Sequence, residues 1–286
     1  MKSILPVVAI VLGILLPQAG SYSFLLKPLL MFILFFPFLE LKINTFYKST
    51  LWIIIANIAL AITAYLLLLP FNSDLAFVSF ITAIAPTGIT APAVASFLAL
   101  DVEYVTLSVI LTNSIIALTL PFLIPLLTHQ ANSVSPREIL LSVLGLFLIP
   151  LAVVQTLKLL NPQVLKSAGK FKILSFYAWS AVLFIAGAKA SHFILYESTT
   201  SPLTIAAIAT ISLLICAANF GVGFLIGGKH FAREASQSLG QKNTMLTVWL
   251  SLAFLKPVVA LGPMFYILYH NLYNSYQLVR TKPHKM

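Results

Sequence analysis

Acidic residues are almost missing: 7 Asp and Glu stand against 17 Lys and Arg in 286 residues. Glu40, Asp74, Asp101, Glu103, Glu138, Glu197 and Glu234 all fall at or beyond the ends of apolar runs. No run therefore carries a carboxylate pair for an aspartyl mechanism. His-Glu-x-x-His and Gly-x-Ser-x-Gly signatures are absent too, so no enzyme activity is expected. Cysteine is as scarce. Cys216 stands alone in an apolar run, which excludes a disulfide framework and a cysteine metal site. Charged residues make up 8% of the chain, against roughly 25% in a soluble domain.

What fills the chain is apolar: 60% of it is hydrophobic, with mean hydropathy +1.01. Apolar runs of about 20 residues, enough to cross a bilayer as helix, recur along the whole length. Ten segments are read: Ile4–Leu16, Leu25–Glu40, Leu51–Leu69, Leu75–Leu100, Tyr104–Thr128, Glu138–Leu160, Ile173–Leu195, Leu203–Ile226, Phe231–Leu255 and Val258–Tyr276. Polar hinges such as Asn72-Ser73-Asp74 and Gln130-Ala131-Asn132-Ser133 separate them. The expected class is an all-α polytopic membrane protein, a single membrane domain with the lipid bilayer as its surroundings. Lys2, a short apolar run and Ala19-Gly20-Ser21 also fit a cleaved signal peptide. Retaining the segment keeps the count even, and the symmetry described below depends on it.

The net charge of +10 does not point to nucleic acid, because the basic residues fall in short loops. They sort by side. With the N-terminus inside, Lys2, Lys42, Lys48, Lys158, Lys166, Lys170, Lys172, Lys229, Arg233, Arg280, Lys282 and Lys285 are internal. Only Lys27, Arg137 and Lys256 are external. The positive-inside rule then places both termini in the cytoplasm, in a cytoplasmic membrane. Lys189 and Lys242 are left within spans.

Two spans are interrupted. Segment nine contains Ser238-Leu239-Gly240-Gln241-Lys242-Asn243-Thr244, with a glycine, two amides and a lysine near its middle. A mid-bilayer lysine costs about 2.5–3.5 kcal/mol on insertion scales. Segment four contains Pro86-Thr87-Gly88-Ile89-Thr90-Ala91-Pro92, where two prolines break the helical ladder. These are the fourth and ninth of ten. A split near Gln130 gives two five-span halves of opposite orientation, an inverted repeat with paired discontinuous helices. That is secondary-transporter architecture, with the site where the broken helices meet. Helix N-termini there suit an anion, and C-termini carrying roughly −0.5 charge each need a cation. Lys242 supplies one within the chain.

At these residues the sequence resembles the bile acid:sodium symporter family. Gly240-Gln241-Lys242-Asn243, Lys256-Pro257 and His270-Asn271 carry the likeness in the second half. Pro86-Thr87-Gly88-Ile89-Thr90-Ala91, Leu107-Ser108, Thr112, Ser114, Pro121–Thr128 and Leu29–Lys42 carry it in the first. The resemblance implies ten helices in two inverted five-helix repeats, with helices four and nine crossing. A panel part would comprise 1–48 and 137–196, and a core part 49–130 and 199–278. It also implies transport of a small organic anion. Thr87, Thr90, Lys242, Asn243, His270 and Asn271 would lie about the substrate. Ser108, Thr112, Ser238, Gln241 and Lys242 would occupy positions like the family's cation sites.

The departures matter as much. A family glutamate and glutamine that hold sodium align with Ser238 and Lys242, and a serine-asparagine pair aligns with Pro92 and Ala93. Two monovalent cations about 4 Å apart repel by roughly 4 kcal/mol at an effective dielectric of 20, or about three decades of affinity. The expectation is a transporter that does not use those sodium sites, with no cofactor and no resident metal. Sodium- or proton-coupled symport is the alternative, and an enzyme or channel a remote one. Lys242 serves either as a fixed charge replacing sodium or as a group that loses and regains a proton. Bile acids, pantothenate-like acids, pyruvate-like acids and sulfonates are all compatible with these residues.

Elsewhere the expectations are structural. Lys189 is expected to snorkel outward. Asn113 and Asn219 are expected to bridge helices, and Gly223 and Gly227 to form a close-packing face.

Overall fold

The computed structural model describes residues 5–39, 45–128, 136–160, 163, 171–197 and 200–280. Lys2, Glu40, Lys42, Lys166, Lys170, Lys282, Lys285 and the hinge around Gln130 lie outside the described residues. Among the described residues there is helix and no strand. Six helical stretches among the described residues are long and apolar enough to cross a membrane. The chain is an all-α protein built for a membrane. It divides into two compact units, Met1–Lys42 with Ala117–Thr199, and Ile43–Ile116 with Thr200–Met286.

The first unit contains α1 (Leu5–Leu15), a 3₁₀ stretch (Pro17–Leu25), α2 (Leu26–Leu39), α7 (Pro136–Leu160) and α8 (Lys172–His192). Small residues let α1 and α8 approach closely, as expected where lipid gives helices no hydrophobic reason to associate. A Cβ on Gly13 would stand 2.2 Å from the Phe184 carbonyl oxygen. Ser191 Oγ adds a 2.8 Å bond to the Ile14 carbonyl. Lys189 reaches Glu197 at 3.7 Å with its side chain 27% exposed, so its charge sits at the edge of the helix rather than among apolar neighbours.

The second unit contains α3 (Ser49–Leu68), α4 (Ser73–Ile84), α5 (Ala91–Phe97), the first part of α6 (Val102–Thr128), α9 (Pro202–Gly240), α10 (Thr244–Phe254) and α11 (Leu261–Arg280). Asn72 caps α4 by accepting from Leu75 N at 2.9 Å, and Ser201 caps α9 by accepting from Thr204 N at 3.2 Å. α9 comprises two helical limbs, matching segment eight and the first part of segment nine, which the sequence separates. It turns at Gly228, whose φ of 58° and ψ of −143° suit glycine alone, and at Phe231. The limbs on either side pack on each other: a Cβ at Gly223 would lie 2.5 Å from the Ala235 carbonyl. Ser236 Oγ donates to the Phe220 carbonyl at 2.8 Å.

Polar contacts mark the two ends of this unit. At one, Lys256 meets Asp74 at 3.3 Å, joining the end of α10 to the start of α4. At the other, Tyr47 donates to Asp101 at 2.9 Å, and Asp101 N donates to Glu234 at 3.2 Å. The Tyr47, Tyr104 and Phe231 rings cluster there with centroids 5.0–5.2 Å apart, Tyr104 stacked on Phe231 and Tyr47 edge-on to Phe231. Beside them lies a core of Ile53, Ala91, Ala95, Tyr104, Val105, Ala235 and Leu239.

Candidate functional site

The prolines and glycines of the two interrupted stretches do what their chemistry dictates. α4 stops at Ile84 and α5 starts at Ala91, so residues 85–90 are not helical. Between α9 and α10, Gln241, Lys242 and Asn243 are extended or irregular. The two stretches run against each other as a short antiparallel bridge of Thr87 with Lys242. Gly88 N donates to the Gln241 carbonyl and Asn243 N to the Pro86 carbonyl, both at 2.7 Å. Gly88 permits this approach, since a Cβ there would sit 3.1 Å from the Lys242 carbonyl oxygen.

Side chains finish the junction. Thr87 Oγ1 donates to the Ser238 carbonyl at 2.6 Å, and Thr87 N donates to Thr112 Oγ1 at 3.0 Å. Asn113 Nδ2 donates to the Thr87 carbonyl at 2.9 Å, while its oxygen accepts from Asn243 Nδ2 at 3.1 Å. Gln241 Nε2 donates to Thr90 Oγ1 at 2.8 Å, at the exposed N-terminus of α5. Tyr266 on α11 donates to the Gly240 carbonyl at 2.7 Å and accepts from Asn219 Nδ2 at 3.2 Å.

Lys242 lies at the centre, 3% exposed. Its amine donates to the side-chain oxygen of Asn57 on α3. Asn57 Nδ2 donates at 2.9 Å to the carbonyl of Ile84, the last residue of α4. That second bond fixes which end of the amide faces the amine. The amine is thus connected, through one neutral amide, to the partially negative end of α4.

Two buried side-chain oxygens at this junction, Ser238 Oγ and Gln241 Oε1, have no partner, whereas main-chain carbonyls there do. The carbonyls of Ile84, Pro86, Thr87, Ser238, Gly240 and Gln241 each already accept a protein donor. Ser108 Oγ is turned to its own helix, donating to the Tyr104 carbonyl at 3.1 Å, and Thr112 Oγ1 donates to the Ser108 carbonyl at 2.7 Å. An ammonium offers only donors.

The structure brings Thr87, Thr90, Thr112, Ser238, Gln241, Lys242 and Asn243 together, with Ser108 one turn away on α6. His270 stands apart on α11, 4% exposed and edge-on to Tyr266. Asn271 is turned back, donating to the Ile267 carbonyl at 2.8 Å. Asn219 joins α9 to α11, whereas Asn113 ties α6 to the two irregular stretches, and Gly223 and Gly227 press on the opposing limb of α9. Asn57 and Tyr266 were not singled out from the sequence. The one available signal for Asn57 was a lone amide in Trp52–Leu60, an otherwise apolar run.

Comparison with known proteins adds no relative: no family model matches the chain, and no curated protein matches it.

Proposed function

We propose that this protein is a secondary transporter of a small organic anion, working by alternating access. Two interrupted helices would cross at half depth in two inverted five-span repeats, as in the bile acid:sodium symporters that the sequence resembles. The observation that carries the reading is the backbone-paired junction of residues 85–90 with 241–243, centred on a buried lysine. Irregular backbone at membrane depth persists where it lines a site or packs on protein, and transporter sites form at such junctions. Lys242 serves as the resident cation, so transport does not draw on sodium. The protein sits in the cytoplasmic membrane with both termini inside. Lys48, Lys229, Arg233 and Arg280 then share the cytoplasmic end of the second unit, opposite Lys256.

The test is a thermal-shift screen of organic anions on purified protein at several pH values, with sodium or with choline. A ligand that binds only the folded state raises the unfolding midpoint by mass action. We expect one anion class to raise it equally in both salts. Stabilisation that requires sodium overturns the sodium-independent reading, and no stabilisation by any anion overturns the transporter reading.

A further inference from the structure

Buried side-chain atoms without a hydrogen-bond partner are confined to one region among the described residues. They are Asn219 Oδ1, Gln237 Oε1, Ser238 Oγ, Gln241 Oε1, His270 Nδ1 and both polar atoms of the Asn274 amide. Every one belongs to α9, to the residue that ends it, or to α11. The opposite half of the same unit differs. Ser79 and Thr82 on α4 and Thr247 and Ser251 on α10 are buried too, yet each donates to a carbonyl of its own helix at 2.6–3.1 Å. That half is satisfied without water.

Two of these residues, His270 and Asn274, lie on one line of α11. Tyr266, His270, Asn274 and Gln277 fall at i, i+4, i+8 and i+11, along one face of α11. Both ends of the line are tied to α9, by Tyr266 to the Gly240 carbonyl at 2.7 Å and by Gln277 to Gln237. Between the ties, His270 and Asn274 are each 4% exposed and unpaired. Exposure then rises through half-buried Gln277 to exposed Arg280. Eleven residues of helix span about 16 Å, close to half the ~30 Å hydrocarbon thickness. Buried polar groups in native proteins find partners, and a buried water needs two to four polar neighbours, which this line supplies.

We propose that the second limb of α9 and α11 enclose a file of bound water joining the junction at Gly240 to the membrane face where α11 ends, and to that face only. Gln237, His270 and Asn274 hold it, and Gln277 stands at its mouth. The path lies wholly within the second unit. It rests on the transporter reading for its meaning, since it names the side from which hydrophilic species reach the junction. It does not rest on that reading for its existence.

The test uses cysteine accessibility. Cys216→Ala gives a cysteine-free chain, into which Gln277→Cys, Asn274→Cys, His270→Cys and the lipid-side control Leu272→Cys are placed one at a time. Each is treated with a charged, membrane-impermeant methanethiosulfonate in vesicles of both orientations. We expect labelling from the face of Arg280 only, fastest at position 277, slower at 274 and 270, and absent at 272. Inert cysteines at 270 and 274 beside a reactive one at 277 overturn the proposal, as does labelling from both faces. The wild-type chain offers a check free of folding defects. Radiolytic hydroxyl footprinting oxidises Tyr266 and His270 well ahead of Phe80, after correction for intrinsic reactivity, although Tyr266 and Phe80 are both 0% exposed. Equal protection of all three counts against bound water. Labelling without any stabilising anion defeats the transporter reading alone, and anion binding without labelling defeats the water path alone.

Discussion

Asn57 and Lys242, 185 residues apart in the chain, meet side chain to side chain in the buried centre of the second unit. The amide accepts from the amine on one side and donates to the last carbonyl of α4 on the other. A lysine amine and a helix C-terminus are thereby joined without a carboxylate.

Removing the amide should be costly. Asn57→Leu leaves a buried ammonium without its acceptor and the Ile84 carbonyl without its donor. Losing a buried hydrogen bond to a charged group costs about 1.5–3 kcal/mol. Asn57→Asp keeps an acceptor and adds an opposite charge, so it should cost much less. Unfolding midpoints in detergent distinguish them: a leucine variant as stable as wild type would show that the contact contributes nothing.

The junction's backbone pairing makes a second prediction. At Gly88 a Cβ would meet the Lys242 carbonyl oxygen at 3.1 Å and the Gln241 carbonyl oxygen at 3.3 Å, and main chain yields poorly. Gly88→Ala should therefore destabilise by about 1–3 kcal/mol, the usual range for overpacking. Thr87→Val removes one hydroxyl donor from the Ser238 carbonyl and should cost about 1 kcal/mol. Because both changes act on the same junction, the double variant should depart from the sum of the singles. Strict additivity in a denaturation cycle would mean that the two stretches are not mechanically joined.

Much of this was legible in the residues. Helical class follows from run length, and the two interruptions from prolines, glycines and a misplaced lysine. The partners of those residues were not legible. Asn57 looks like any lone amide in an apolar span until α3 is packed against the junction. His270 and Asn271 are neighbours in sequence, but the helical turn sends them to different environments: one is buried beside Tyr266, the other bonded to its own helix. Gly228 illustrates the converse. A loop between segments eight and nine is readable from Gly227-Gly228-Lys229-His230, whereas its closure into two tightly packed limbs depends on a positive φ at Gly228 and on Gly223, where a Cβ would lie 2.5 Å from the Ala235 carbonyl oxygen.

Outside the spans, Tyr47 offers a pH-dependent readout. Burial first, and then the hydrogen bond to Asp101, push its phenol from 10.0 up to about 12. The folded protein holds this proton more tightly than the unfolded chain does. Its contribution to stability is therefore complete below about pH 10 and is lost as pH climbs through about 12. Tyrosinate absorbance of wild type minus Tyr47→Phe should reveal a phenol titrating about two units late. A difference curve centred near 10 would mean that Tyr47 is neither buried nor bonded to Asp101 in solution.

The sharpest prediction concerns sodium. Wild-type protein should unfold at the same temperature in sodium and choline chloride. A sodium ion about 4 Å from the Lys242 ammonium would be repelled by roughly 4 kcal/mol. Lys242→Gln removes that repulsion but supplies no anionic ligand, and the carbonyls of the junction keep their protein donors. Sodium should still have little effect on the single variant. Ser238 is 1% exposed and its hydroxyl has no partner, so a side chain at this position points into the same buried region. Adding Ser238→Glu to Lys242→Gln returns one negative charge with no ammonium to neutralise it. That double variant, unlike wild type or either single change, should be stabilised by sodium over choline. Should wild type itself gain stability from sodium, Lys242 is not the resident cation, and the charge balance drawn here for the two helix ends fails with it.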